Sequence, residues 1–255
     1  MIEEVIKEAN ISEDDIFLDL GSGVGNVVLQ VAAAVGPKVC CGVEKAEKPS
    51  RYAEEMEKHF AKWMKWYGKC YSDYELIKGD FLSPEFSERI NSSTVIFVNN
   101  FAFGPALNHQ LKLKFQNLPD GVRIISSAEF CPLNFRINDR NLGDVGAMMN
   151  VHLFSPLKGK VSWTNKPVSF YLQIIDRTLL EKYFYYKSHP EEEPPEELKR
   201  KLSPKDAMDR HGSSSEDNEE EGKLRTSAQS VCHGGRRQTD PNTCLLYTSP
   251  SPRDS

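Results

Sequence analysis

The chain predicts an α/β fold built on a mostly parallel sheet. Three observations carry that reading. An apolar run, Ile16-Phe17-Leu18, enters the turn Asp19-Leu20-Gly21-Ser22-Gly23-Val24-Gly25-Asn26, which opens onto a smooth apolar segment over 27–35. That order is a buried strand, a glycine turn and a helix, the opening of a nucleotide-type site. Further short apolar runs recur at 39–43, 74–79, 95–98 and 122–126, with helix-length segments between most of them. Successive runs also end in residues that carry chemistry: Glu44, then Asp80-Phe81, then Asn99-Asn100-Phe101. Open α/β sheets bind ligands at the carboxyl ends of their strands.

The glycine turn has a physical purpose. Without a Cβ the backbone adopts dihedrals other residues avoid and lets a ligand lie directly against it. The following helix then aims free N–H groups at the bound group. A dinucleotide fingerprint would place its third glycine at position 26. Asn26 stands there and Gly25 one earlier, giving acid-x-Gly-x-Gly-x-Gly, which resembles the first motif of S-adenosylmethionine (SAM) methyltransferases. The alternative is a glycine turn that only lets a strand meet a helix.

The remaining elements follow in order. Ile2, Val5, Ile6 and Ala9 have helical spacing over 1–12. The strand 16–20 is followed by a helix over about 24–35 that stops at Gly36-Pro37. The next strand ends at Glu44, whose carboxylate can accept from both hydroxyls of a ribose; the alternative is a surface glutamate opening a helix. A long helix from Pro49 to Tyr67 carries an apolar stripe, Tyr52, Met56, Phe60, Trp63 and Tyr67, read as core. Lys58, Lys62 and Lys65 lie off it as a solvated face or a basic patch. Asp80 can accept from an exocyclic amine, and Phe81 can stack or offer its N–H, which together would read an adenine ring. A helix over about 106–118, a strand over 122–126, an irregular stretch 129–147, a strand over 151–154, a hairpin turn at 158–160 before Val161-Ser162-Trp163, a strand over 168–174 and a helix over 176–186 complete the folded part.

Composition sets the outer bounds. Hydrophobic residues at 39% and charged residues at 27% fit a globular protein with a polar appendage. No apolar run reaches the roughly 18 residues of a membrane span, and the acidic start Met1-Ile2-Glu3-Glu4 lacks a signal-peptide pattern. The six cysteines show neither zinc spacing nor a disulfide framework. Cys40 and Cys41 read as buried thiols, and the set points to a reducing, intracellular compartment. No metal site is expected. A net charge of −5 gives no global sign of nucleic-acid binding, so such a contact would need a local basic patch. The expected organisation is a catalytic core over 1–186, a disordered acidic and polar tail over 187–243, and adaptor-like sequence over 244–255. Within the tail, Lys199-Arg200-Lys201 reads as solvated charge.

Several motifs then occur together and in order: Asp19–Gly25, Val43-Glu44-Lys45-Ala46, Trp63-Met64-Lys65-Trp66-Tyr67-Gly68, Gly79-Asp80-Phe81-Leu82, Val98-Asn99-Asn100-Phe101-Ala102-Phe103-Gly104, Pro132-Leu133-Asn134-Phe135-Arg136-Ile137-Asn138 and Ser155-Pro156-Leu157-Lys158-Gly159. Over roughly 1–186 the chain resembles the disruptor-of-telomeric-silencing family, the methyltransferases of lysine 79 of histone H3 that lack a SET domain. The resemblance implies a class I SAM-dependent methyltransferase: a Rossmann-like, seven-stranded, mostly parallel sheet with helices on both faces. It also implies SAM as cofactor, a nuclear location and a nucleosome substrate, with no membrane and no metal. Carried over by position, the cofactor-binding residues include Phe17, Leu18, Asp19, Leu20, Gly21, Ser22, Gly23, Val24, Gly25 and Asn26, of which the glycine loop and Asn26 hold the methionine and ribose part of SAM. Glu44 takes the ribose hydroxyls, and Asp80 and Phe81 take the adenine. Asn99 lies beside the transferring methyl, and Phe103, Trp163 and Phe170 line the lysine channel.

Departures from the family pattern accompany the match. Asn26 replaces a usual Gln, and Phe170 a usual Tyr. Only about eighteen residues precede Asp19, where the family carries a helical lobe and a donor-binding loop, so the chain is expected to be a fragment and at best a weak methyltransferase. An acidic segment stands where the family has a lysine-rich tail, which implies weakened contacts with nucleosomal DNA. Two other classes stay open: a non-catalytic fragment that binds SAM or chromatin, and an NAD-dependent oxidoreductase.

Overall fold

The computed structural model describes residues 1–154 and 169–202, all within one compact unit, Met1–Ser213. A seven-stranded sheet organises it: β1 (Ile16–Leu20), β2 (Val39–Glu44), β3 (Tyr74–Lys78), β4 (Val95–Val98), β5 (Arg123–Ser126), β6 (Met149–Leu153) and β7 (Tyr171–Ile175). The order is β3-β2-β1-β4-β5-β7-β6. Strands β1 to β5 pair in parallel, and β7 runs antiparallel between β5 and β6. This is the class I methyltransferase sheet that the resemblance implies.

The helices are α1 (Ile2–Glu8), α2 (Asn26–Ala34), α3 (Glu47–Trp66), α4 (Ser87–Ser92), α5 (Pro105–Phe115), α6 (Thr178–Ser188) and α7 (Glu196–Lys201). Alternation along the strands divides the core into two faces. Leu18, Leu20, Cys41, Val43, Ile96 and Val98 point to one and meet Ile90 of α4 and Leu111 and Phe115 of α5. Phe17, Cys40, Val95 and Phe97 point to the other and meet Ile2 and Val5 of α1 and Val28 and Val31 of α2. Central strands buried on both sides explain the continuous apolar runs in the sequence. Burial drives the Cys40 and Cys41 thiols up to about 12 and about 11, so both stay protonated. A half-buried ion pair closes the amino end of the sheet. Arg123 pairs with Asp15 and donates to the carbonyls of Ala9 at 2.7 Å and Asn10 at 2.6 Å.

Two expectations are corrected here. The apolar stripe of α3 is not core: Tyr52, Met56, Trp63 and Tyr67 are exposed, and the fully buried residues of the helix are Ser50 and Ala53. α3 lies beside β3, the edge of the sheet. An edge offers too little surface to bury the side chains of a twenty-residue helix, so small residues make the close approach. Phe60 is the stripe member that turns inward, against Tyr71 and Tyr74.

The chain also stays folded beyond 187. α7 packs on α6, with Leu198 fully buried beside Leu179 and Tyr183. Leu202 bridges to Ile137, whose N–H donates to the Lys201 carbonyl at 2.7 Å. Composition hides this because Leu198 and Leu202 are only two apolar residues inside a charged run. Lys199 is not solvated charge either, since it pairs with Glu193 and Glu196. The expected hairpin at 158–160, the strand over 161–163 and the sequence from 203 onward lie outside the described residues.

Candidate functional site

The site assembles at the carboxyl ends of β1, β2, β3 and β4. Asp19 and Leu20 end β1, and the turn that follows hangs from β2, Gly21 and Ser22 donating to the Val43 carbonyl at 2.9 and 3.2 Å. Gly25 caps α2 at φ 78°, a left-handed conformation. A Cβ there would come within 2.5 Å of Leu76, so only glycine fits. No side chain caps α2, which leaves its first amides for a ligand. Space is open above Gly23.

Glu44 closes the turn from the neighbouring strand. Its carboxylate accepts from the Gly23 N–H at 2.9 Å and the Ala46 N–H at 2.7 Å, so the loop and the acid fix each other. Asp19 is buried below it. Burial first, and the charge of Glu44 second, push the Asp19 carboxyl up to about 8. Asp80 at the next strand end pairs with Lys45 at 2.7 Å and accepts from the Leu82 N–H at 3.0 Å. The Lys45 hydrogen bond, then that of Leu82, hold its carboxyl below the usual range. Phe81 is buried, with its ring stacked near that of Phe103, centroids 6.3 Å apart. Phe103 in turn reaches back over Gly21, where a Cβ would lie 3.4 Å from its ring. Gly21, Phe81 and Phe103 thus form one apolar wall.

Sequence reasoning missed what holds Asn99. Ser127, just past β5, donates to the Asn99 side chain at 2.8 Å and accepts the Phe101 N–H at 2.9 Å. Buried Asn100 grips the same loop from both sides. It accepts from the Ala128 N–H at 2.8 Å and donates to the Ala128 carbonyl at 3.0 Å, and it also donates to Asn108 at 3.1 Å. Behind it, Gln173 on β7 donates to Ser126 at 2.7 Å and accepts from the Phe130 N–H at 2.8 Å. The signal for Ser127 was legible, since it follows a predicted strand on the side where the other site residues gather. Gln173 had none, being a polar residue within an apolar strand.

The structure does not bring every nominated side chain to the site. Phe17, Leu18 and Leu20 are core, and only their backbone leads to the turn. Phe170 is also core. It is fully buried, its ring centroid 5.9 Å from that of Phe97, on the α1/α2 face of the sheet. With no hydroxyl to satisfy, an apolar phenyl ring is free to settle there. Ser22 is buried, Val24 is half-buried and Asn26 is exposed at the start of α2. Trp163 lies outside the described residues.

This donor set fits SAM and disfavours a dinucleotide. Glu44 and Asp80 place two carboxylates around the open glycine turn, above a protonated Asp19. Such a site suits a cation bearing hydroxyls and an exocyclic amine and repels a pyrophosphate. Among the described residues no group of three His, Cys, Asp or Glu side chains could hold a metal ion. No described helix is long and apolar enough to cross a membrane.

Residues 1–175 match the family described as "Histone methylation protein DOT1". The chain belongs to the DOT1 family. One DOT1 relative, the Drosophila melanogaster "Histone-lysine N-methyltransferase, H3 lysine-79 specific", is 57% identical over 184 residues, covering 72% of this chain and 10% of that protein. The Caenorhabditis elegans protein of the same name is 38% identical over 182 residues, covering 71% of this chain and 19% of that protein. The chain therefore spans a fifth or less of the length of these two relatives. Among solved structures, an RNA methyltransferase from Salinibacter ruber in complex with S-adenosyl-L-homocysteine is 19% identical, with a TM-score of 0.43, covering 69% of this chain and 90% of that one. So loose a superposition adds nothing to the topology.

Proposed function

We propose that this DOT1-family chain is a SAM-dependent methyltransferase domain acting on lysine 79 of histone H3 in nucleosomes, and that it works in the nucleus. One observation supports the cofactor best: the open glycine turn held by Glu44 beside the carboxylate of Asp80. Family membership and the names of the relatives support the substrate.

When bound, SAM supplies an electrophilic methyl on a sulfonium, so the protein needs no covalent intermediate. Glu44 would hold the ribose hydroxyls, Asp80 and Phe81 the adenine, and the turn from Asp19 to Asn26 the remainder. Asp80 must exchange its Lys45 partner for the ligand, an exposed pair that contributes little. The acceptor lysine must be neutral to attack. The ring of Phe103 would desolvate an amine that lies against it, which disfavours the ammonium form. Asn99, oriented by Ser127, would align the amine by hydrogen bonding. Alignment and desolvation, rather than a general base, then carry the rate.

Incubation with nucleosomes and methyl-labelled SAM tests the proposal. Label on H3 that disappears when lysine 79 is replaced by arginine is expected. Replacing Asn99 by Ala should lower that transfer by about a hundredfold, the scale of a misplaced reacting group. Label that persists after the lysine 79 replacement would contradict the assignment.

A further inference from the structure

We infer that the carboxyl-terminal half of α3, with the loop after it, is a binding surface for single-stranded nucleic acid. The surface exists because of the correction above: residues that read as core face outward. Trp66 is 76% exposed, Tyr67 66%, Trp63 52% and Tyr71 41%. A folded chain leaves so many large rings in water at one place when they serve a contact. The Trp63 and Tyr67 rings stack on each other, centroids 5.9 Å apart and planes inclined by 20°, and both stay exposed.

Charge selects the partner. From Lys58 to Ser72 the chain carries Lys58, Lys62, Lys65 and Lys69 and not one carboxylate. Glu55 holds Lys58 at 2.9 Å, whereas Lys62, Lys65 and Lys69 form no ion pair among the described residues. The acids of the neighbourhood, Glu54, Glu57 and Asp73, flank this run in sequence rather than interrupt it. The chain as a whole is negative, so the run stands out in sign. A local positive stripe interleaved with exposed rings is the chemistry that holds an unpaired strand: lysines follow the phosphates and bases stack on the aromatic faces. A duplex keeps its base faces stacked inside and would leave the rings idle.

The position makes this separate from the candidate methyl-transfer site. α3 starts beside Glu44 at the carboxyl end of the sheet and runs twenty residues away from it, about 30 Å at 1.5 Å per residue. Ser72 donates to the carbonyl of Ala32 near the far end of α2 at 3.1 Å, which anchors the loop there.

The test uses the full 255-residue chain and a fluorescein-labelled oligothymidylate of about 20 nucleotides, longer than the ~4–16 nucleotides such surfaces cover. Anisotropy should show binding that weakens with salt and exceeds binding to a duplex of the same length. W63A and W66A should each weaken it about tenfold, the scale of one lost stacking partner. The triple variant K62Q/K65Q/K69Q should lower the slope of log K against log salt by about 2, three phosphate contacts at ~0.7 each. These side chains are exposed, so melting curves should match the parent. The inference fails if no oligonucleotide binds. It fails equally if the triple variant binds like the parent, which would place the contact elsewhere, for instance at 199–201. Tighter binding to duplex with no effect of the tryptophans, or equal binding to poly-glutamate at the same salt, would also overturn it.

Discussion

Glu44 is the residue on which the most converges. Its carboxylate fixes the glycine turn through Gly23, anchors Ala46 and raises Asp19 by its charge. A charge-assisted hydrogen bond is worth about 1.5–3 kcal/mol. E44A should therefore weaken SAM binding about tenfold or more by calorimetry, and unchanged affinity would remove it from the site. The two buried aspartates give a pH signature of opposite signs. Asp19 is raised to about 8, so below that pH the folded chain keeps a proton that the unfolded chain, with an ordinary carboxyl, has released. Its contribution therefore makes stability fall as pH rises from about 4 to about 8. D19N should flatten that fall in urea titrations across pH 5 to 8. For Asp15, burial acts to raise the carboxyl. Hydrogen bonds from Thr94 and Ser12, with the Arg123 charge, outweigh it and hold Asp15 below its ordinary value. Its stabilisation is present above the ordinary carboxylate range and is lost as pH falls through the lowered value.

At the scale of elements, α7 carries the clearest prediction. Leu198 is fully buried between α6 and the stretch around Ile137. L198A should cost about 2–5 kcal/mol, and truncation after Ser188 should lower Tm by at least about 4 °C for a domain of this size. An unchanged melting curve would show that α7 does not pack. α3 and α7 also show where sequence reading stops. Strands β1, β2, β4 and β5 were legible because both their faces are buried, which leaves an apolar run with no other explanation. The strand-end residues were legible for the same reason, since a strand of known direction places its last residue at the binding edge. The aromatic stripe of α3 has the spacing of a core face, yet its neighbour is a sheet edge, and periodicity says nothing about what lies opposite. α7 fails in the reverse direction, its two leucines being too few to outvote the surrounding glutamates. The Asn99–Ser127 and Asn100–Ala128 contacts join residues 28 apart, a pairing that depends on β4 lying beside β5 and not on any local pattern.

For the whole molecule, the topology places two carboxylates, a protonated Asp19, a glycine turn and an aromatic wall on one edge, and the α3 surface at the opposite end. Among the described residues the site is open: Asn26 and Phe101 are exposed and Asp80 is only half-buried. Open sites admit water and hold a reacting methyl loosely. Turnover by this chain should accordingly be slow even where SAM binds, and transfer rates on nucleosomes will show it. Isothermal titration of the 255-residue chain with SAM, and separately with NAD, is the most direct measurement. Saturable SAM binding, lost or weakened about tenfold in E44A, with no heat from NAD, is the expected result. Absence of SAM binding by the folded chain, or preferential binding of NAD, would contradict the assignment of the glycine turn and its carboxylates to a SAM site.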